Sequence, residues 1–166
     1  MTAHSIPIID IADLFGTDQP ARTLVDGLVQ AAAREHGFMV ITGLPSWTRQ
    51  STAHRRRLLA LFSLPDQELR KLWRWNFDPA RPNVYRGWFP LQDGGATYKE
   101  GIDMGPDIAF GPSVVDPSDP LREATPLPEE EVLPGWRETV RNYYLAMDRL
   151  AGLLIRSIAR GLGLAA

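Results

Sequence analysis

The chain has 166 residues, 44% of them hydrophobic and 23% charged, with a net charge of −2. These values fit a folded globular domain and exclude bulk disorder. Cysteine is absent, which removes disulfide frameworks, thiolate metal sites, CxxC redox chemistry and cysteine nucleophiles together.

Residues Ile6 to Ile11 read as a short β-strand, with Pro7 suited to its edge or start. Thr17 or Asp18 can cap a following helix that carries Pro20 in its first turn. Leu24, Val25, Leu28, Ala31 and Ala32 recur at helical spacing and predict its apolar face. Gly37 stands where a left-handed residue should close that helix. Phe38 to Thr42 is an apolar run stopped by Gly43 and Pro45, and it predicts a buried strand. A second helix is expected from Ser46 or Ser51 to Phe62, and a short one from Asp66 to Trp73 behind Pro65.

Ten of the fourteen prolines fall between Pro79 and Pro134. Proline lacks an amide donor and blocks helix interiors, so loops and short strands are expected there, at Val84–Phe89 and Thr97–Met104. Asp116 to Glu131 reads as an exposed acidic loop. From about Trp136 to Arg160 an apolar stripe steps by three or four through Val140, Tyr144, Met147, Leu150, Ala151, Leu154 and Ile158. That predicts one long amphipathic helix whose stripe needs a partner surface. No internal repeat is present.

The most apolar stretch, Leu145 to Ala166, is interrupted by Asp148, Arg149, Arg156 and Arg160, and so falls short of a membrane span. Asp10 and Asp13 come too early for a secretory leader. A cytoplasmic protein with no membrane partner is the expectation. Charge is uneven: Arg49 to Arg86 holds nine basic and three acidic residues, and Asp93 to Glu131 holds ten acidic and two basic. A polar surface accounts for this, with Arg55, Arg56 and Arg57 as the only run that suggests an anion-binding face.

The order of these segments resembles the N-terminal region of the isopenicillin N synthase-like family of iron(II)/2-oxoglutarate-dependent dioxygenases. The resemblance rests on Ile6 to Asp10; His36, Gly37 and Phe38; Phe62, Leu64 and Pro65; Tyr85, Arg86, Gly87 and Trp88; and Lys99, Glu100 and Asp103. It is completed by Leu133 to Trp136, the tyrosine-bearing helix from Tyr143, and Leu162 to Leu164. The family's Gly-Pro-Asn-x-Trp-Pro stretch is replaced by Leu121 to Glu130, which leaves the substrate class open.

The implied fold is an α/β (α+β) N-terminal domain over residues 1–166, with a small sheet, several helices and a long C-terminal helix. The family's catalytic double-stranded β-helix, or jelly roll, is missing from the chain. That half carries a His-x-Asp…His triad, which holds one face of Fe(II) and leaves the other open, and an Arg-x-Ser that grips 2-oxoglutarate. No His-x-Asp exists around His4, His36 or His54. The resemblance therefore implies Fe(II) and 2-oxoglutarate for a complete member, although isopenicillin N synthases themselves use no 2-oxoglutarate. It implies no cofactor bound by this chain, no catalytic residue and no metal ligand in it.

The expected function is the N-terminal half of an oxidoreductase acting on a small organic molecule, inactive alone. The alternative is a stand-alone, non-catalytic interaction module derived from that half. The expected partner is the missing jelly-roll half, or a second copy bound through the long C-terminal helix. Tyr85, Arg86 and Trp88 are the candidate substrate-binding residues, because the equivalent segment of relatives borders the catalytic pocket. There a guanidinium can pair with a substrate carboxylate. Their pattern alone equally fits a strand that turns its aromatic side into a core.

Lys99 and Glu100 read by default as an exposed pair. His36 fits the last turn of a helix, and His54 a solvated helix. Gly161, Gly163 and Ala166 mimic a dinucleotide fingerprint, but they follow a helix and not a strand. Trp73, Trp75 and Phe77 beside Arg70, Lys71 and Arg74 fit core packing with snorkelling cations. In an acidic chain they do not predict nucleic-acid binding.

Overall fold

A computed structural model describes residues 5–48, 51–76, 78, 80–91 and 98–164. His4, Phe77, Thr97 and Ala166 lie outside them. The chain divides into two compact units: Met1–Arg49 with Ala146–Ala166, and Gln50–Leu145.

The first unit starts with β1 (Ile8–Asp10), a helical turn at Ala12–Phe15, α1 (Gln19–Glu35) and β2 (Val40–Thr42). The two strands pair in parallel, with Ile8 opposite Val40 and Asp10 opposite Thr42. A parallel pair requires a crossover, which α1 supplies. Asp18 caps α1 by accepting from the Ala21 amide at 3.3 Å. Gly37, at φ +79°, follows its C-cap His36.

The buried line of α1 is Val25, Val29 and Ala32, together with Asp26. Leu24, Leu28 and Ala31, placed on the core face by spacing, point outward. The apolar stripe is wider than the core it faces, so sequence periodicity alone could not choose its centre. β2 also departs from expectation. Val40 and Thr42 are exposed and Ile41 half-buried, because this two-stranded sheet is covered on one face only. The core gathers Ile9, Ile11, Leu14, Val25, Val29, Ala32 and Leu150, with Met147, Leu153, Leu154 and Ile158 packed against it.

The second unit contains α2 (Thr52–Leu59), a tighter helical turn at Ala60–Ser63, α3 (Asp66–Arg70), β3 (Gly87–Phe89), β4 (Gly101–Asp103) and α4 (Asp107–Phe110). Ser51 caps α2 by accepting from the His54 amide at 3.2 Å. α3 is shorter than expected, because Trp73 leaves helical geometry to bridge Trp88. β3 and β4 pair antiparallel, with Trp88 opposite Ile102. Both are shorter than the predicted strands. The core here is Leu61, Leu69, Leu72, Trp88, Ile108, Trp136 and Val140.

The long helix α5 spans Trp136–Gly161, close to the predicted limits. At 1.5 Å per residue it is about 39 Å long. It contributes Trp136 and Val140 to the second unit's core and Leu150 to the first. No described helix is long and apolar enough to cross a membrane.

Candidate functional site

The candidate residues lie in the second unit, where β3 meets the chain that follows α3. The Trp88 amide donates to the Leu72 carbonyl at 2.6 Å, and the Arg74 amide donates to the Trp88 carbonyl at 2.8 Å. These bonds require the backbones to come close at Gly87. Its φ is +124°, and a Cβ there would stand 2.4 Å from the Leu72 oxygen. Only glycine fits such a position without displacement.

Trp88 is buried. Its ring meets Trp73 edge-on at 5.3 Å, and its indole N–H donates to Glu100 Oε1 at 2.7 Å. A buried indole normally needs such an acceptor. Glu100 is thus drawn inward, away from the exposed pairing expected with Lys99. Lys99 instead lies 5.7 Å from the Phe89 ring centroid. On the other side, Arg74 stacks over Phe89 at 4.4 Å and forms an ion pair with Asp103.

Tyr85 and Arg86 are half-buried, with the guanidinium 5.2 Å over the tyrosine ring. Arg86 Nη1 donates to the Met104 carbonyl at 2.7 Å and Nη2 to the Leu121 carbonyl at 2.5 Å. Its guanidinium therefore holds two loops of its own chain, which is a different task from the carboxylate pairing implied by the resemblance.

The partners that shape this region come from the supposedly exposed acidic loop. Glu123 accepts the amides of Val84 at 2.9 Å and of Tyr85 and Arg86 at 2.5 Å. Thr125 is buried. Its hydroxyl accepts from the Gly105 amide and donates to Asp107 Oδ1 at 2.7 Å, while its amide donates to Asp107 Oδ2 at 2.8 Å. Glu123, Thr125 and Asp107 carry no sequence signal of their own, and Glu100, singled out with Lys99, pairs with Trp88 instead. No periodic pattern marks them, since each acts on a distant segment. For Glu123 and Thr125 the one available signal is that Leu121 to Glu130 departs from the family pattern.

The remaining candidates do not converge here. His36 closes α1, and His54 sits on α2 with its ring 6.0 Å from Tyr143. Arg55, Arg56 and Arg57 are exposed. The basic–aromatic cluster is largely paired with itself and its near neighbours: Arg70 with Asp66 and over Trp73, Lys71 with Glu68, and Arg81 over Trp75. Among the described residues, no three His, Cys, Asp or Glu side chains gather where they could hold a metal ion. These residues do not fit an Fe(II) site, and no catalytic step is assigned to them.

Residues 6–130 match the family described as non-haem dioxygenase in morphine synthesis N-terminal. Over 165 residues the chain is 28% identical to isopenicillin N synthase from Streptomyces clavuligerus, covering 98% of this chain and 49% of that protein. Over 163 residues it is 23% identical to the Penicillium rubens isopenicillin N synthase, covering 96% and 48%. Among solved structures, a full-length Neurospora crassa protein in complex with alpha-KG superposes with a TM-score of 0.69 at 20% identity, over 99% of this chain and 46% of that one. The chain thus spans about half the length of the relatives it matches. It belongs to the N-terminal family of the non-haem dioxygenases.

Proposed function

We propose that the chain is the N-terminal half of a non-haem Fe(II)/2-oxoglutarate dioxygenase that oxidises a small organic molecule. It would act as scaffold and pocket wall for a jelly-roll half that carries the iron. The family match over residues 6–130, together with the alignment of 98% of the chain to 49% of the Streptomyces clavuligerus protein, carries this reading. The alpha-KG bound to the Neurospora crassa protein supports 2-oxoglutarate as the cosubstrate. A cysteine-free chain is in keeping with a cytoplasmic setting.

The outer face of the first unit's sheet supports a docking role. Ile6, Ile8, Phe38 and Val40 are exposed there, with Ile8 71% accessible. Parallel strands are normally covered on both faces, and a two-stranded sheet alone is marginal. An apolar patch of this kind calls for a partner. The stripe of α5 is less available. Val140 and Leu150 are buried, and Met147, Leu154 and Ile158 pack against the first core, whereas Ala151 and Ile155 remain exposed. The sheet face is therefore a better seat for the jelly-roll half than the α5 stripe is for a second copy.

The test is iron content and succinate release after anaerobic loading with Fe(II) and 2-oxoglutarate, followed by aeration. The chain alone is expected to hold no stoichiometric iron and to release no succinate. Iron retention with turnover would overturn the reading. The stand-alone module remains the second reading, favoured by two apolar clusters that each close within the chain. A sharply melting monomer by light scattering, with no binding of a dye for exposed apolar surface, would decide for it.

A further inference from the structure

We infer that Glu123 is a positioning residue. Its carboxylate serves as a built-in anion for the amides of Val84, Tyr85 and Arg86, and so fixes the segment that presents Tyr85. This rests on the proposed role of that segment as a pocket wall. Three consecutive N–H groups facing one carboxylate form the kind of concavity that binds free anions. Here the occupant is supplied from 37 to 39 residues further along the chain.

The arrangement is reciprocal. The Arg86 backbone donates to Glu123, and the Arg86 side chain donates to the carbonyl of Leu121, two residues before Glu123. The two segments clasp each other in the way a capping box ties a helix end. The strand begins only at Gly87, so the three preceding amides have no ladder partner in the β3–β4 sheet. Without the carboxylate they would need water or another anion, and the Tyr85 backbone would lose its fixed direction. Thr125 holds the same loop from its far side through Gly105 and Asp107. Removing Glu123 should therefore loosen residues 84–86 and leave the loop attached.

Hydrogen exchange on the full chain tests this without any dioxygenase chemistry, so its result is independent of the iron and succinate measurement. Glu123→Ala is expected to speed exchange of the Val84–Arg86 amides about tenfold or more, with the amides of α1 unchanged. Sodium formate or acetate, but not chloride at equal ionic strength, is expected to restore protection by filling the vacated cradle. Glu123→Gln, which keeps one acceptor oxygen, should fall between the two and serves if the alanine variant does not fold. Unchanged exchange in both variants would overturn the inference. So would loosening spread over the whole second unit, or protection that carboxylates do not restore.

Discussion

The two units are held together by different means. In the first, an apolar core lies between a small sheet and two capped or continuous helices, and its main buried polar feature is Asp26 with Ser157 and Arg160. In the second, a proline-rich path is laced by side chains that reach distant main-chain groups. Glu123 bonds to 84–86, Arg86 to Met104 and Leu121, and Arg137 to the Pro128 carbonyl at 2.7 Å. Proline deprives a segment of amide donors and of regular pairing, so its shape must be set by specific polar bonds. A unit built this way is read by partner and not by period.

The largest test of the contrast is Trp136→Ala. Trp136 is buried in the second core, and its indole donates to the Leu58 carbonyl at 3.0 Å. Truncation should cost about 3–5 kcal/mol, measured as a drop in the urea midpoint. A loss below about 1 kcal/mol would mean that the polar lacing, and not the core, holds that unit.

Next comes the first unit's one buried charge among the described residues. Arg160 donates to both Asp26 oxygens at 2.7 and 2.8 Å, and Ser157 donates to Oδ1 at 2.7 Å. The hydrogen-bonded Arg160 guanidinium chiefly holds the Asp26 carboxyl below its ordinary value; burial opposes this and Ser157 assists it. The folded-state pKa is therefore the lower one. The stabilisation is complete above the ordinary carboxylate value near about 4 and is lost as pH falls through the lowered value. Asp26→Asn should cost about 3 kcal/mol near neutrality and flatten the acid limb of stability against pH. An unchanged acid limb would show that other carboxylates set it.

Gly43→Ala should cost about 2 kcal/mol. Its φ is +71°, and a Cβ would stand 1.9 Å from Asp10 Oδ1, the oxygen that accepts the Ala12 amide at 2.9 Å. Thermal melting reads the loss, and the variant shows whether the first unit tolerates a disturbed turn better than the second. The smallest effect belongs to Arg55, Arg56 and Arg57. Each changed to Gln should shift stability by less than about 0.5 kcal/mol. Submicromolar nucleic-acid binding by the unaltered chain, with a steep salt slope, would reveal a role beyond a solvated face.

The first unit was largely legible in the sequence. Asp18, Pro20 and Gly37 mark the ends of α1, Phe38–Thr42 contains β2, and the step pattern from Met147 to Ile158 traces this unit's part of α5. Leu24 and Leu28 misled because a stripe shows that a face is apolar but not what covers it. In the second unit, Val84–Phe89 does contain a strand, but its first three amides are taken by Glu123. Asp107–Phe110 forms a helical turn inside a stretch that its prolines suggested was extended or looped. Trp88 is a core residue, Glu100 lies in a segment the sequence did mark but with another partner, and Glu123 and Thr125 come from a segment whose composition says only that it is polar.

The divided make-up of the first unit also orders events during synthesis. Leu150 shares a buried cluster with Ile9, Val25 and Val29, yet Gln50–Leu145 lies between them in the chain. At about 5–20 residues per second, a ribosome needs roughly 5–20 s to add those ~100 residues. Throughout that interval the apolar sides of β1 and α1 wait for α5 to emerge. The delay is set by the linear order of the gene product and not by the depth of the folded well. A substitution that leaves the melting temperature untouched can therefore still lower the yield of folded chain, by making the waiting segment stickier.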